Sequence, residues 1–183
     1  MLNQSSSTGQ PRNAGAGAGD SLLKELFIES LQDVYYAEKA LTKAMPRMQA
    51  AATSPELIQA FENHLQQTQG QIQRLEQVFQ LIGEDAEGKK CEAMEGLVKE
   101  AESIISDTDE GTSTRDVGLI MAAQKVEHYE IASYGSLRQL AITLGLTDAA
   151  QLLEQTLDEE KQTDLLLTDI AENSVNYQAA TEQ

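Results

Sequence analysis

Apolar residues recur at alternating steps of three and four along most of the chain, which is the period of an amphipathic helix. The first stripe is Phe27, Leu31, Val34, Glu38, Leu41, Met45 and Met48. It opens after Asp20 or Ser21, both good N-caps, and Pro46 predicts a kink or an early end. "TSPEL" announces a second helix, with Ser54 as cap, Pro55 at the first position and Glu56 at the positive end. Its stripe is Phe61, Leu65, Thr68, Ile72, Leu75, Phe79 and Ile82, and Gly83 ends it. Two loops, "GEDAEGKK" and "DTDEGTSTRD", flank a short amphipathic helix, "CEAMEGLVKEAESIIS". A third long helix is predicted from about Val117 to about Leu144, stopped by Gly145. The fourth starts near Thr147 or Asp148, with the stripe Ala150, Leu153, Leu157, Glu160, Asp164, Leu167 and Ala171.

Short loops join helices one and two, and three and four, so each pair reads as an antiparallel hairpin. The connection between two and three is long and carries its own helix. An all-α, ferritin-like four-helix bundle with a short extra helix in that crossover is the architecture expected. Residues 21–176 form this bundle, residues 1–20 a disordered, Ser/Gly/Ala-rich N-terminal tail, and residues 177–183 a frayed C-terminus.

Charge changes the picture of partners. Thirty acidic residues against 13 basic ones give a formal charge of −17, which argues against nucleic-acid binding and against docking on anionic lipid. No apolar run is long enough to span a membrane, and the N-terminus lacks the apolar core of a secretory signal. One cysteine, Cys91, cannot form an intrachain disulfide and reads as structural. A cytoplasmic location is expected.

Three of the four stripes carry carboxylates where leucines belong. Glu38 lies between Val34 and Leu41, Glu127 and Glu130 fall with Ile120, Ala123, Tyr134 and Leu137, and Glu160 and Asp164 lie between Leu157 and Leu167. No Lys or Arg points inward with them; Arg138 is the nearest candidate. Clustered like charges in a low dielectric persist when protonated, hydrated or bridged by a cation. One inward glutamate is ordinarily a flank residue whose head reaches water, a reading strongest for Asp164 and Glu127. Five on three helices point to a metal cage suited to iron or manganese. In the second helix Glu62 points away, His64 lies on the flank as a further candidate ligand, and Gln67 and Gln71 follow it. His128 reads as packing or dimer surface. Tyr35, Tyr36, Tyr129 and Tyr134 read as core or interface, and Tyr134 can also donate to a ligand carboxylate.

"LQDVYYAEKAL", "CEAMEGLVKEAE", "AAQKVEHYEIASYGSL" and "LDEEKQTDLLLTDIA" resemble the YciF/YciE-type ferritin-like stress proteins of bacteria, over nearly the whole chain after residue 20. The resemblance implies a homodimer with a di-iron-type centre and a stress-response association, but names no reaction. The family's second helix has "HLEET" where this chain reads "HLQQT", so Gln67 stands in place of a metal-binding glutamate. Two functions are expected in competition. One is iron binding by Glu38, Glu127, Glu130 and Glu160, completed by Asp164 and His64, with oxidation of ferrous iron or consumption of peroxide. The other is a non-enzymatic scaffold or partner-binding stress protein with a degraded site. No Gly-rich phosphate loop follows a strand, which sets aside a nucleotide enzyme.

Overall fold

A computed structural model describes residues 21–183; the tail expected for residues 1–20 lies outside them. The described residues are all-helical: α1 (Leu22–Ala51), α2 (Pro55–Ile82), α3 (Glu92–Asp107), α4 (Ser113–Thr143), α5 (Thr147–Ile170), a π-helical turn (Ala171–Val175) and α6 (Asn176–Ala179). The starts follow from capping chemistry. The side chains of Ser21, Ser54, Cys91 and Thr112 accept from the backbone N–H three residues on, opening α1, α2, α3 and α4. Gly83, at φ 76°, and Gly145, at φ 74°, supply the left-handed residues that close α2 and the α4–α5 turn.

Helices α1 and α2 pack on each other, as do α4 and α5; α1 also packs on α4, and α2 on α5. The four long helices thus form a bundle, and α3 lies outside, against α1 and α4. That cover explains α4, which is buried on several sides through Leu119, Ile120, Ala122, Ala123, Val126 and Leu137. One apolar layer holds Phe27, Leu31, Tyr35, Phe79, Leu137 and Leu153. A second holds Met48, Leu57, Phe61, Leu119, Ile120 and Leu167. Each fully buried Leu or Phe contributes about 1.5–3 kcal/mol.

Three details differ from the sequence reading. Pro46 does not end α1, which continues to Ala51. Helix α4 starts at Ser113, because Thr112 accepts from Arg115 N and supplies the cap. The buried face of α2 is turned roughly 40° toward His64. Leu65, Ile72 and Ile82 are only half-buried, while His64, Thr68 and Gln71 are buried. After α5 the π turn carries the chain on with Val175 fully buried. Glu182 then accepts from Ser113 N at 2.6 Å and Thr114 N at 2.9 Å, where the α4 dipole favours an anion.

Candidate metal centre

Between the two apolar layers lies a polar one. Helix α1 supplies Glu38, α2 His64, α4 Glu127 and Glu130, and α5 Glu160; all five are buried. One donor atom each from His64, Glu127, Glu130 and Glu160 lies within 4.8 Å of the others. His64 Nε2 stands 3.3 Å from Glu127 Oε1 and 4.0 Å from Glu160 Oε2, yet neither ring nitrogen makes a hydrogen bond. Glu38 borders the four, with Oε1 accepting from the buried Tyr134 hydroxyl and Oε2 left free.

The orphaned atoms define this layer. Glu38 Oε2, both His64 nitrogens, Glu127 Oε2, both Glu130 oxygens and Glu160 Oε2 are buried without a hydrogen-bond partner, as are Thr68 Oγ1 and Gln71 Oε1. Each such atom costs about 1–3 kcal/mol, more when charged. Burial shifts the proton affinities accordingly. Glu130 is raised well above the usual carboxylate range by burial first, then by the charges of Glu38, Glu160 and Glu127. Glu38 rises through burial and the charge of Glu160, offset by the Tyr134 hydrogen bond. Glu127 rises through burial first, then through the charge of Glu160. Glu160 goes to about 7, chiefly through burial. Burial holds His64 neutral, with its pKa down to about 4.

Carboxylate oxygens with one imidazole make a hard, oxygen-rich donor set, which fits iron or manganese and not a thiolate-bound metal. A cation among these atoms would engage the orphans and replace the protons. The residues present therefore fit a metal, and proton release should accompany its binding.

Of the ligands read from the sequence, Glu38, Glu127, Glu130 and Glu160 come together as expected. His64, expected on the flank, sits inside. Asp164 does not join them: it is half-buried at the α4–α5 rim, with Oδ1 3.4 Å from Gln124 Nε2 and 3.4 Å from the exposed His128 Nε2. Its wheel position beside Glu160 is right only in angle; one further turn carries it out of the layer. Gln67 is half-buried. Gln71 is the residue the sequence reading undervalued: it is fully buried and donates to Glu160 Oε1, and to Glu159 Oε2 at 3.1 Å. Its spacing from His64 and Thr68, seven and three residues, would have placed all three on one face. The nearest cation is Arg74, not Arg138. Arg74 donates to Thr156 Oγ1 at 2.8 Å and pairs with Glu159, while Arg138 pairs with Glu154 at the surface. Cys91, buried, caps α3 through its sulfur.

The comparisons agree on the family. The family model described as "Domain of unknown function (DUF892)" matches residues 22–180. The protein YciF of Escherichia coli K12 is 49% identical over 158 residues, covering 86% of this chain and 95% of that protein. The crystal structure of the E. coli stress protein YciF matches with a TM-score of 0.81 over 86% of this chain and 99% of its own. YcfI of Rhodopseudomonas palustris matches with a TM-score of 0.79 at 40% identity, over 81% of this chain and 94% of its own. A Xanthomonas campestris pv. campestris protein matches at 26% identity with a TM-score of 0.64, over 82% of this chain and 92% of its own. This chain is a member of the DUF892 family and is related to YciF.

Proposed function

We propose that this chain is a ferritin-like, metal-binding stress-response protein that holds iron, with manganese as the alternative ion, in its carboxylate layer. The observation that carries the reading is the set of buried oxygens and imidazole nitrogens without partners, supplied by all four bundle helices. The stress association rests on the relative described as a stress protein. Ferrous iron is the substrate, and it gives one electron per ion to dioxygen or peroxide; carboxylate ligands favour the ferric product.

The protein's own groups prepare this step. Neutral His64 keeps a lone pair free for a cation. Glu130 offers both oxygens. Tyr134 orients Glu38 by holding one oxygen and leaving the other open. The layer is buried, so a cation held in it would neutralise the charge of its carboxylates. The working form is a cytoplasmic homodimer without nucleic-acid or membrane contacts; among the described residues no helix is long and apolar enough to cross a membrane. Aerobic ferrous oxidation tests the reading, and Glu38→Ala and Glu160→Ala should lose both iron binding and oxidation. Normal iron binding and unchanged oxidant consumption in both variants would overturn it.

One observation favours a second reading, a scaffold or partner-binding protein with a degraded site. Helix α2 brings no carboxylate, and the Gln71 amide already satisfies Glu160 Oε1. Gln67→Glu separates the two: a large gain in iron affinity means the natural site is degraded, and no gain means it is complete with His64.

A further inference from the structure

Directly beside the carboxylate layer, away from Phe27 and Leu31, the bundle helices line a cavity of about 20 Å³. All four long helices wall it, and most of the wall is apolar: Met45, Met48, Phe61, Ala123 and Leu167. Every one of these residues is buried. The polar residues in the wall are His64, Glu127 and Thr163, and the first two also belong to the metal layer. The Thr163 hydroxyl is already engaged, donating to Glu159 O at 3.2 Å. The atoms of His64 and Glu127 without a partner, both ring nitrogens and Glu127 Oε2, belong to the donor set described above.

Size and lining together select the guest. A space of this volume holds one water-sized or diatomic molecule, far below the roughly 300–1,000 Å³ of an organic ligand site. Apolar cavities of this kind stay dry and accept apolar guests, because a water needs two to four polar partners. Once a cation engages Glu127 and one His64 nitrogen, at most the other ring nitrogen is left for a water, fewer than it needs. Hydrogen peroxide, which carries two hydroxyl donors, would lose its hydrogen bonds on entering. Dioxygen has none to lose.

We infer that this cavity is a dioxygen-binding chamber that presents the gas to the His64–Glu127 side of the iron layer. The inference rests on the proposed iron oxidation and names its oxidant. Two ferrous ions each lose one electron, and dioxygen takes two electrons and two protons and leaves as hydrogen peroxide. The protons come from solvent or from carboxyl groups displaced by the cation. With peroxide supplied instead, two electrons and two protons cleave its O–O bond to two waters, and that oxidant does not pass through the chamber. Met45 and Met48 suit a wall that must open for a small guest, because unbranched thioether chains repack at little cost.

Crystals of the full chain under xenon pressure test the chamber without iron. A xenon peak enclosed by Met48, Phe61 and Leu167 is expected, and it should vanish in Ala123→Val, which fills the space. The same variant should slow dioxygen-driven ferrous oxidation about tenfold and leave peroxide-driven oxidation and iron stoichiometry within about twofold. Ala60→Val, on another helix of the same wall, should repeat the result if Ala123→Val folds poorly. An ordered water in place of xenon, or equal slowing with both oxidants, would overturn the inference. If the wild-type chain binds no iron, the proposed function falls and the dioxygen role with it, while xenon still reports whether the cavity takes an apolar guest.

Discussion

Two regions of this bundle bury polar groups, and they treat them in opposite ways. At the end where α2 and α4 begin, Asp116 is buried with both oxygens occupied: Oδ1 accepts from Thr53 N at 2.8 Å and Oδ2 from Ser54 N at 2.7 Å. Its neighbour Arg115 donates through Nε to Thr108 Oγ1 at 3.1 Å and through Nη2 to Ile105 O at 3.1 Å, closing α3. In the mid-bundle layer, Glu130 is buried as deeply and neither oxygen has a partner. Among the described residues, all the buried side-chain oxygens and nitrogens without partners belong to this layer. A fold that satisfies Asp116 and Arg115 this fully can satisfy buried charge. Glu130, left open, is the residue on which the proposed cation rests most.

The contrast predicts opposite signs for removing a buried carboxylate. Asp116→Ala orphans two backbone N–H groups and should destabilise the protein by about 2–4 kcal/mol, read from a urea midpoint. Glu130→Leu, measured in chelator, should instead stabilise by about 1–3 kcal/mol, because a buried carboxyl without partners gives way to an apolar side chain. A loss comparable to that of Asp116→Ala would erase the distinction between the regions.

Titration sharpens it further. Glu160 binds its proton more tightly folded, at about 7, than its ordinary 4.5. Its contribution to stability is therefore full below pH 4.5 and is lost as pH rises through 7, at no more than about 1.4 kcal/mol per pH unit. Glu38, Glu127 and Glu130 shift in the same direction. His64 acts oppositely: its depressed value, about 4 against 6.5, gives stability present above 6.5 that is lost as pH falls through 4. With four carboxyls against one imidazole, metal-free protein should weaken from pH 5 to 8, and iron should flatten that slope. Urea midpoints across this range, with and without chelator, provide the check. The smallest effect belongs to Asp164→Asn, which should leave iron stoichiometry and midpoint unchanged, since Asp164 pairs at the rim with Gln124 and His128. Lost iron in that variant would place Asp164 back among the ligands.

The helices were legible because three-and-four periodicity and the caps Ser21 and Ser54 are local signals. The rotation of α2 was hidden because its buried face carries His64, Thr68 and Gln71, which a hydrophobic stripe counts as solvent-facing. Glu38, Glu127, Glu130 and Glu160 could be found because each interrupts an apolar stripe. Asp116, Arg115 and Arg74 could not, since their partners lie on other helices, and nothing near them in sequence announces the contact. Asp164 shows the limit of a helical wheel, which gives angle but not depth along the bundle.

The central claim is that the orphaned atoms of the mid-bundle layer are cation ligands. Anomalous diffraction at the iron edge, from crystals of the full chain soaked anaerobically in ferrous iron, tests it most directly. The expected result is a peak bounded by His64, Glu127, Glu130 and Glu160, which is absent from Glu130→Gln crystals. No peak in the wild-type protein, with ordered waters or carboxyl–carboxyl hydrogen bonds satisfying Glu130 instead, would contradict it.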